Sequence, residues 1–183
     1  MEQSQKKQNI ALSSVTASLF LTVMKLVVGI MTGSIGIISE AAHSALDFGA
    51  ASLTLFAVKV SDKPADSKHH YGHAKVESVS ALIETGLLVI TSLWIIYAAS
   101  ERLIAGTTEI EVKWYAIAIM VISIVVDFSR SRALKKVAKE TNSQALEADA
   151  LHFSSDILSS AVVLVGLIFV SLGITWADAV AGI

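Results

Sequence analysis

Long apolar stretches at about 10–31, 35–60, 76–103, 114–128 and 148–172 dominate this chain, each near the roughly 20 residues that carry a helix across a bilayer. A further stretch, 174–183, reads as the first part of a sixth such helix. Inside a bilayer the backbone must satisfy its own hydrogen bonds, and separate apolar segments of this length do so as helices. The expected fold class is therefore all-α: a polytopic membrane bundle of six transmembrane helices, the sixth truncated, behind a short polar tail at 1–9. Composition excludes a soluble domain of this size, because 54% of the 183 residues are hydrophobic, only 16% are charged and there is one proline. The first block is too long for a signal-peptide core. A net charge of −2 gives no electrostatic footprint for nucleic acid. With no cysteine, disulfides and thiolate ligands are both excluded, and any metal site falls to nitrogen and oxygen donors.

Ionisable groups inside membrane segments are costly and mark function. The stretch SEAAHSALD sets His43 and Asp47 four residues apart in the second segment, and ADALHFSSDI repeats the HxxxD spacing with His152 and Asp156 in the fifth. On a helix each pair lies on one face, one turn apart. Two neutral imidazoles and two carboxylates balance the charge of a dication, which removes most of the cost of holding it in low dielectric. Tetrahedral N2O2 ligation suits Zn2+ first and tolerates Cd2+, Co2+ or Fe2+, whereas magnesium and calcium prefer oxygen donors alone. Such ligands must be deprotonated to bind, so an entering metal displaces protons and metal-for-proton exchange follows.

Basic residues orient the chain. With a cytoplasmic N-terminus, the inner side holds Lys6, Lys7, Lys59, Lys63, Lys68, Lys75, Arg130, Arg132, Lys135, Lys136 and Lys139, and the outer side holds Arg102 and Lys113. The acids Glu109 and Glu111 also fall in an outer loop. The two HxxxD pairs then run antiparallel. His43 and Asp47 lie roughly 12 and 18 Å below the outer end of helix 2, while His152 and Asp156 lie roughly 8 and 14 Å above the inner end of helix 5. In a hydrocarbon core about 30 Å thick these depths coincide within a few Å. A single four-ligand site is the expectation.

Lys25 and Glu40 fall at similar depth, compatible with an ion pair or with separate snorkelling. Glu84 and Asp127 lie nearer the inner end. Asp149, one turn below His152, either hands ions to the site or is a helix-start acid favoured by the dipole. Small residues (Ala41, Ala42, Gly49, Ala50, Ala51 and Ser52 on helix 2; Ser154, Ser155, Ser159 and Ser160 on helix 5) allow close helix approach or serve ordinary packing. The inner loop SDKPADSKHHYGHAKVES gives Asp66, His69 and His73 DxxHxxxH spacing, which fits a second, exposed zinc site or a solvated histidine-rich loop. The basic run 130–139 reads as a topology signal with headgroup contact.

Two other classes compete. A haem-binding membrane electron carrier would use His43 and His152 as axial ligands, which leaves Asp47 and Asp156 unexplained. A proton-coupled carrier of another solute would use the same groups as a relay. An intramembrane HExxH protease is excluded because the motif does not occur.

HSALD, PAD through HHYGHAKVES, and ADALHFSSD together resemble the cation diffusion facilitator family of metal/proton antiporters, over essentially the whole chain as that family's membrane domain. The resemblance implies a transporter rather than an enzyme, with the transport site at His43, Asp47, His152 and Asp156 and a loop site at Asp66, His69 and His73. It implies a homodimer of six-helix subunits exporting zinc or a related ion such as Cd2+, Co2+, Fe2+ or Mn2+. The short loops and minimal tail fit a bacterial inner membrane. Some members carry DxxxD on helix 2 with broader metal choice, and His43 resembles the more zinc-selective form. The family's C-terminal cytoplasmic domain and the end of helix 6 are expected to lie outside this sequence.

Overall fold

The computed structural model describes residues 2–32, 35–105 and 114–171, and over these the chain is helical apart from the 62–74 loop and a tight turn at 142–143. Five helices follow one another: α1 Glu2–Thr32, α2 Ile35–Ser61, α3 Lys75–Ala105, α4 Trp114–Thr141 and α5 Gln144–Ser171. The stretches Glu2–Met31, Glu40–Ser61 and Lys75–Trp94 are long and apolar enough to cross a membrane. The expected sixth helix at 174–183 and the outer-loop residues Glu109, Glu111 and Lys113 lie outside the described residues.

Three helix boundaries differ from the sequence reading. The segment read as a polar tail at 1–9 is the first part of α1 from Glu2 onward. Helix 4 does not stop at 128 but runs to Thr141, and helix 5 starts at Gln144 rather than 148. Hydropathy marks only the apolar part of a helix, and beyond Phe128 α4 becomes amphipathic. Leu134, Val137 and Ala138 are buried at helical spacing against Ala145, Leu146 and Ala150, while Lys135, Lys136 and Lys139 stay off the packed face. The turn between the two helices has a clear cause. Asn142 takes a left-handed φ of 52°, and the Ser143 amide donates to the Ala138 carbonyl at 3.1 Å, a Schellman closure of α4. The Ser143 hydroxyl then accepts from the Leu146 amide at 3.4 Å and caps α5.

α1 packs along α2 and α4 along α5, while α3 leans on α5 and α2, and α1 also meets α4. α1 and α2 come close at Gly29, where a Cβ would stand 2.8 Å from Ile38 Cγ1 and 3.1 Å from the Ile38 nitrogen. Gly49, read as a possible close-approach residue, has open space instead. The apolar core formed by α1, α2, α4 and α5 gathers toward the end of the bundle that carries the 62–74 loop. That end is tied by polar contacts as well. Lys7 Nζ lies 2.8 Å from both Asp62 Oδ1 and Glu77 Oε1, Ser61 Oγ donates to Glu77 Oε1 at 2.7 Å, and the Ser143 hydroxyl donates to Glu77 Oε2.

The distribution of polarity is inverted relative to a protein built for water. Phe20, Leu82, Ile90, Leu93, Trp94 and Leu158 are exposed, whereas Ser14, Lys25, Glu84, Arg130, Asp149 and His152 are buried. Acyl chains are the solvent that such a surface fits, and interior charges in such a bundle mark function.

Candidate metal centre

α2 and α5 bring the two HxxxD pairs face to face. His43 and Asp47 stand one turn apart on α2 because HSALD continues the helix without interruption, and His152 and Asp156 do the same on α5. The four side chains form a ring. His43 Nε2 lies 4.0 Å from Asp47 Oδ1 and 3.9 Å from Asp156 Oδ1, and His152 Nε2 lies 3.3 Å from Asp47 Oδ1 and 3.5 Å from Asp156 Oδ2. His43, Asp47 and Asp156 each present a ligand atom within 4.8 Å of the others.

The size of this ring has a chemical meaning. A tetrahedral zinc with arms of about 2.0–2.1 Å has donor-to-donor edges of roughly 3.3–3.4 Å. The observed imidazole-to-carboxylate separations start at that edge and exceed it by up to about 0.7 Å, and His152 stands outside the set of donors that all lie within 4.8 Å of one another. Donor access is graded, with the His43 side chain 32% exposed and that of His152 7%.

The secondary residues take distinct places. Lys25 reaches α2, with Nζ 3.2 Å from Glu40 Oε2 and 2.8 Å from Ser44 Oγ, so it pairs with Glu40 rather than standing apart. Asp149 is wholly buried in the second turn of α5 and accepts from Ser14 Oγ at 3.0 Å, which removes the helix-start reading. Ser154 shares a hydrogen bond with Ser131 at 2.8 Å, joining α5 to α4.

Arg130 corrects the expectation of headgroup contact for the whole basic run. Its guanidinium lies inside the bundle, 3.3 Å above the Phe153 ring, with Nε 2.9 Å from Ser14 Oγ, Nη2 2.6 Å from Ser18 Oγ and Nη1 3.5 Å from Asp127 Oδ1. A signal existed in the sequence. Ser14 and Ser18 are spaced one turn apart on one face of α1, and buried hydroxyls on one face need polar partners.

In the 62–74 loop, Asp66 organises a second cluster. Its Oδ1 accepts from the Lys68 and His69 amides at 2.9 and 2.6 Å, and the carboxylate lies 3.1 Å from His69 Nδ1 and 3.5 Å from His73 Nε2. Gly72, at φ 78°, supplies the left-handed residue that returns the chain toward His73. The backbone amides of His69 and Lys68 hold the Asp66 carboxyl below the usual carboxylate range, so it is ionised and able to ligate at neutral pH. The three residues offer ligand atoms within 4.8 Å of one another.

Residues 11–183 match the cation efflux transmembrane domain. The chain belongs to the cation efflux family. Among family relatives, an uncharacterized transporter of Methanocaldococcus jannaschii is 38% identical over 170 residues, covering 93% of this chain and 60% of the relative. The magnetosome protein MamB of Paramagnetospirillum magneticum is 34% identical, covering 92% of this chain and 56% of MamB. The cation-efflux pump FieF of Shewanella oneidensis is 30% identical, covering 91% of this chain and 56% of FieF. The chain thus spans 56 to 60% of the length of these relatives.

Proposed function

We propose that the protein exports a divalent transition metal, Zn2+ first, from the cytoplasm in exchange for protons, by alternating access at His43, Asp47, His152 and Asp156. The observation that carries this reading is the ring of imidazole-to-carboxylate distances between 3.3 and 4.0 Å joining α2 and α5. The relative named FieF is a cation-efflux pump, and the same class of cargo is the natural assignment here. Metal loading requires both imidazoles neutral and both carboxylates ionised, so protons leave as the metal enters. A lower proton concentration in the cytoplasm than outside then drives metal outward.

The proposal includes a cytoplasmic N-terminus, from the basic residues gathered at the loop end. It also includes a homodimer in a bacterial inner membrane, as the resemblance implies. The exposed cluster Asp66, His69 and His73 serves as an auxiliary metal site at the cytoplasmic mouth. The haem alternative is disfavoured by geometry, because Asp47 Oδ1 lies 4.0 and 3.3 Å from the two imidazoles and fills the gap a haem plane needs.

Equilibrium titration of the purified protein with zinc tests the assignment. Parent protein should bind at two classes of site, Asp66→Ala should lose the exposed class alone, and His152→Ala should lose the buried one. Retention of both classes in His152→Ala would overturn the four-ligand reading.

A further inference from the structure

The ring of four donors leaves unused a pair of acids buried on its loop side. Glu84 of α3 is 1% exposed and Asp149 of α5 is 0% exposed. Glu84 hangs from α2 through the Thr54 hydroxyl, which donates to its Oε1, and Thr54 stands two turns, roughly 10 Å, from Asp47 toward the loop end. Asp149 precedes His152 by three residues, roughly 4.5 Å. Both acids therefore lie between the ring and the loop end.

Their surroundings differ in one respect. Asp149 has a positive charge acting on it, since Arg130 reaches the same Ser14 hydroxyl that donates to Asp149 Oδ2. Glu84 forms no ion pair with a lysine or arginine among the described residues. From α5 the titratable groups acting on it are Asp149 and His152; from α2 it meets the Thr54 hydroxyl; on its own helix Ser80 Oγ donates to Oε1 at 3.1 Å. An ionised carboxylate buried without a cation partner is far costlier than a neutral one. The hydrogen bonds also distinguish the two oxygens. Oε1 receives both hydroxyls as a carbonyl oxygen does, while Oε2 is buried without a partner and is the atom free to carry a proton, as Asp149 Oδ1 is free to accept one.

We propose that Glu84 is a further proton-carrying acid of the exchange, separate from the metal ligands and acting in addition to them. This rests on the metal-for-proton reading above. A dication entering the ring adds positive charge on the ring side of the buried Glu84 carboxyl, and a nearby positive charge favours an ionised carboxylate. The Oε2–H bond then breaks and the proton passes to cytoplasmic water. When the metal leaves to the outside, the positive charge goes with it, and an Oε2–H bond forms again with a proton taken from the outer solution. No electrons move, and each cycle carries that proton inward against one metal outward.

The test separates coupling from transport in proteoliposomes containing the purified protein. One arm measures zinc accumulation driven by a pH gradient; the other measures exchange of labelled for unlabelled zinc at equal pH, which needs no net proton movement. Glu84→Gln should lower the first by tenfold or more and leave the second within about threefold, and Glu84→Asp should restore part of the first. Equal loss in both arms, or no loss in either, overturns the proposal. A readout independent of cargo is the protonated-carboxyl band in infrared difference spectra of metal-free protein at neutral pH. It should vanish in Glu84→Gln and persist in Asp47→Asn. Its presence, unchanged, in Glu84→Gln overturns the proposal whichever ion is carried, whereas a parent that moves no metal but shows the band counts against the cargo alone.

Discussion

His152 Nε2 lies 3.3 Å from Asp47 Oδ1, although 105 residues separate them in the chain. That contact joins α5 to α2 through groups that neither helix could bury alone. Losing either partner leaves the other buried without its counterpart, so each helix depends on the other here.

Arg130 is predicted to matter more for the fold than its place in a basic run implies. Arg130→Met removes the donors to Ser14 and Ser18 and leaves Asp127 buried without its guanidinium, a loss of about 3 kcal/mol. Arg130→Lys keeps the charge but not the planar fork over Phe153, and about 1–2 kcal/mol is expected. Unfolding in detergent micelles, followed by intrinsic fluorescence, checks both. A cost below about 0.5 kcal/mol for Arg130→Met would mean that the side chain reaches headgroups after all.

Two glycines give a packing test with opposite signs. Gly29→Ala forces its Cβ against the Ile38 backbone, and the helices must part at a cost of about 1–3 kcal/mol. Gly86→Ala meets nothing within 4 Å and should be neutral or stabilising by up to about 1 kcal/mol. Thermal unfolding of the two variants side by side reads the difference.

Asp62 gives the acid limb of stability. Burial opposes its charge, but the Lys7 ammonium and the Ser4 hydroxyl outweigh that, and the carboxyl titrates below its usual range. A depressed folded-state value contributes stability that is fully present above the unfolded value near pH 4 and is lost as pH falls through the folded value. Asp62→Asn should therefore cost about 0.5–1 kcal/mol at pH 7, and the gap from the parent should close in acid. A gap that stays constant down to the acid limit would contradict the Lys7–Asp62 assignment.

Much of this arrangement was legible in the sequence because it depends on spacing. HxxxD in two apolar segments, together with opposite helix directions, placed His43, Asp47, His152 and Asp156 at one depth, and the folded chain sets them within 4.0 Å contacts. Lys25 with Glu40, and Asp66 with His69 and His73, followed from matched depth or short separation. What spacing did not reveal was rotation about the helix axis. Arg130 and Lys135 share one basic run, yet Arg130 turns inward onto Phe153 while Lys135 stays off the packed face. The end of α4 was hidden for a related reason. Its closure depends on a left-handed Asn142 and a serine cap at Ser143, local signals that a search for apolar length passes over.

The most direct test of the central claim is zinc-driven proton movement in proteoliposomes. Parent protein is compared with His43→Ala and Asp156→Ala, and the parent assay is repeated with cadmium, iron and manganese. One shared N2O2 site predicts a zinc-first order in the parent and loss of both zinc flux and the accompanying proton flux in each variant. Undiminished flux in either variant would contradict that site, and flux of zinc without counter-movement of protons would contradict the exchange.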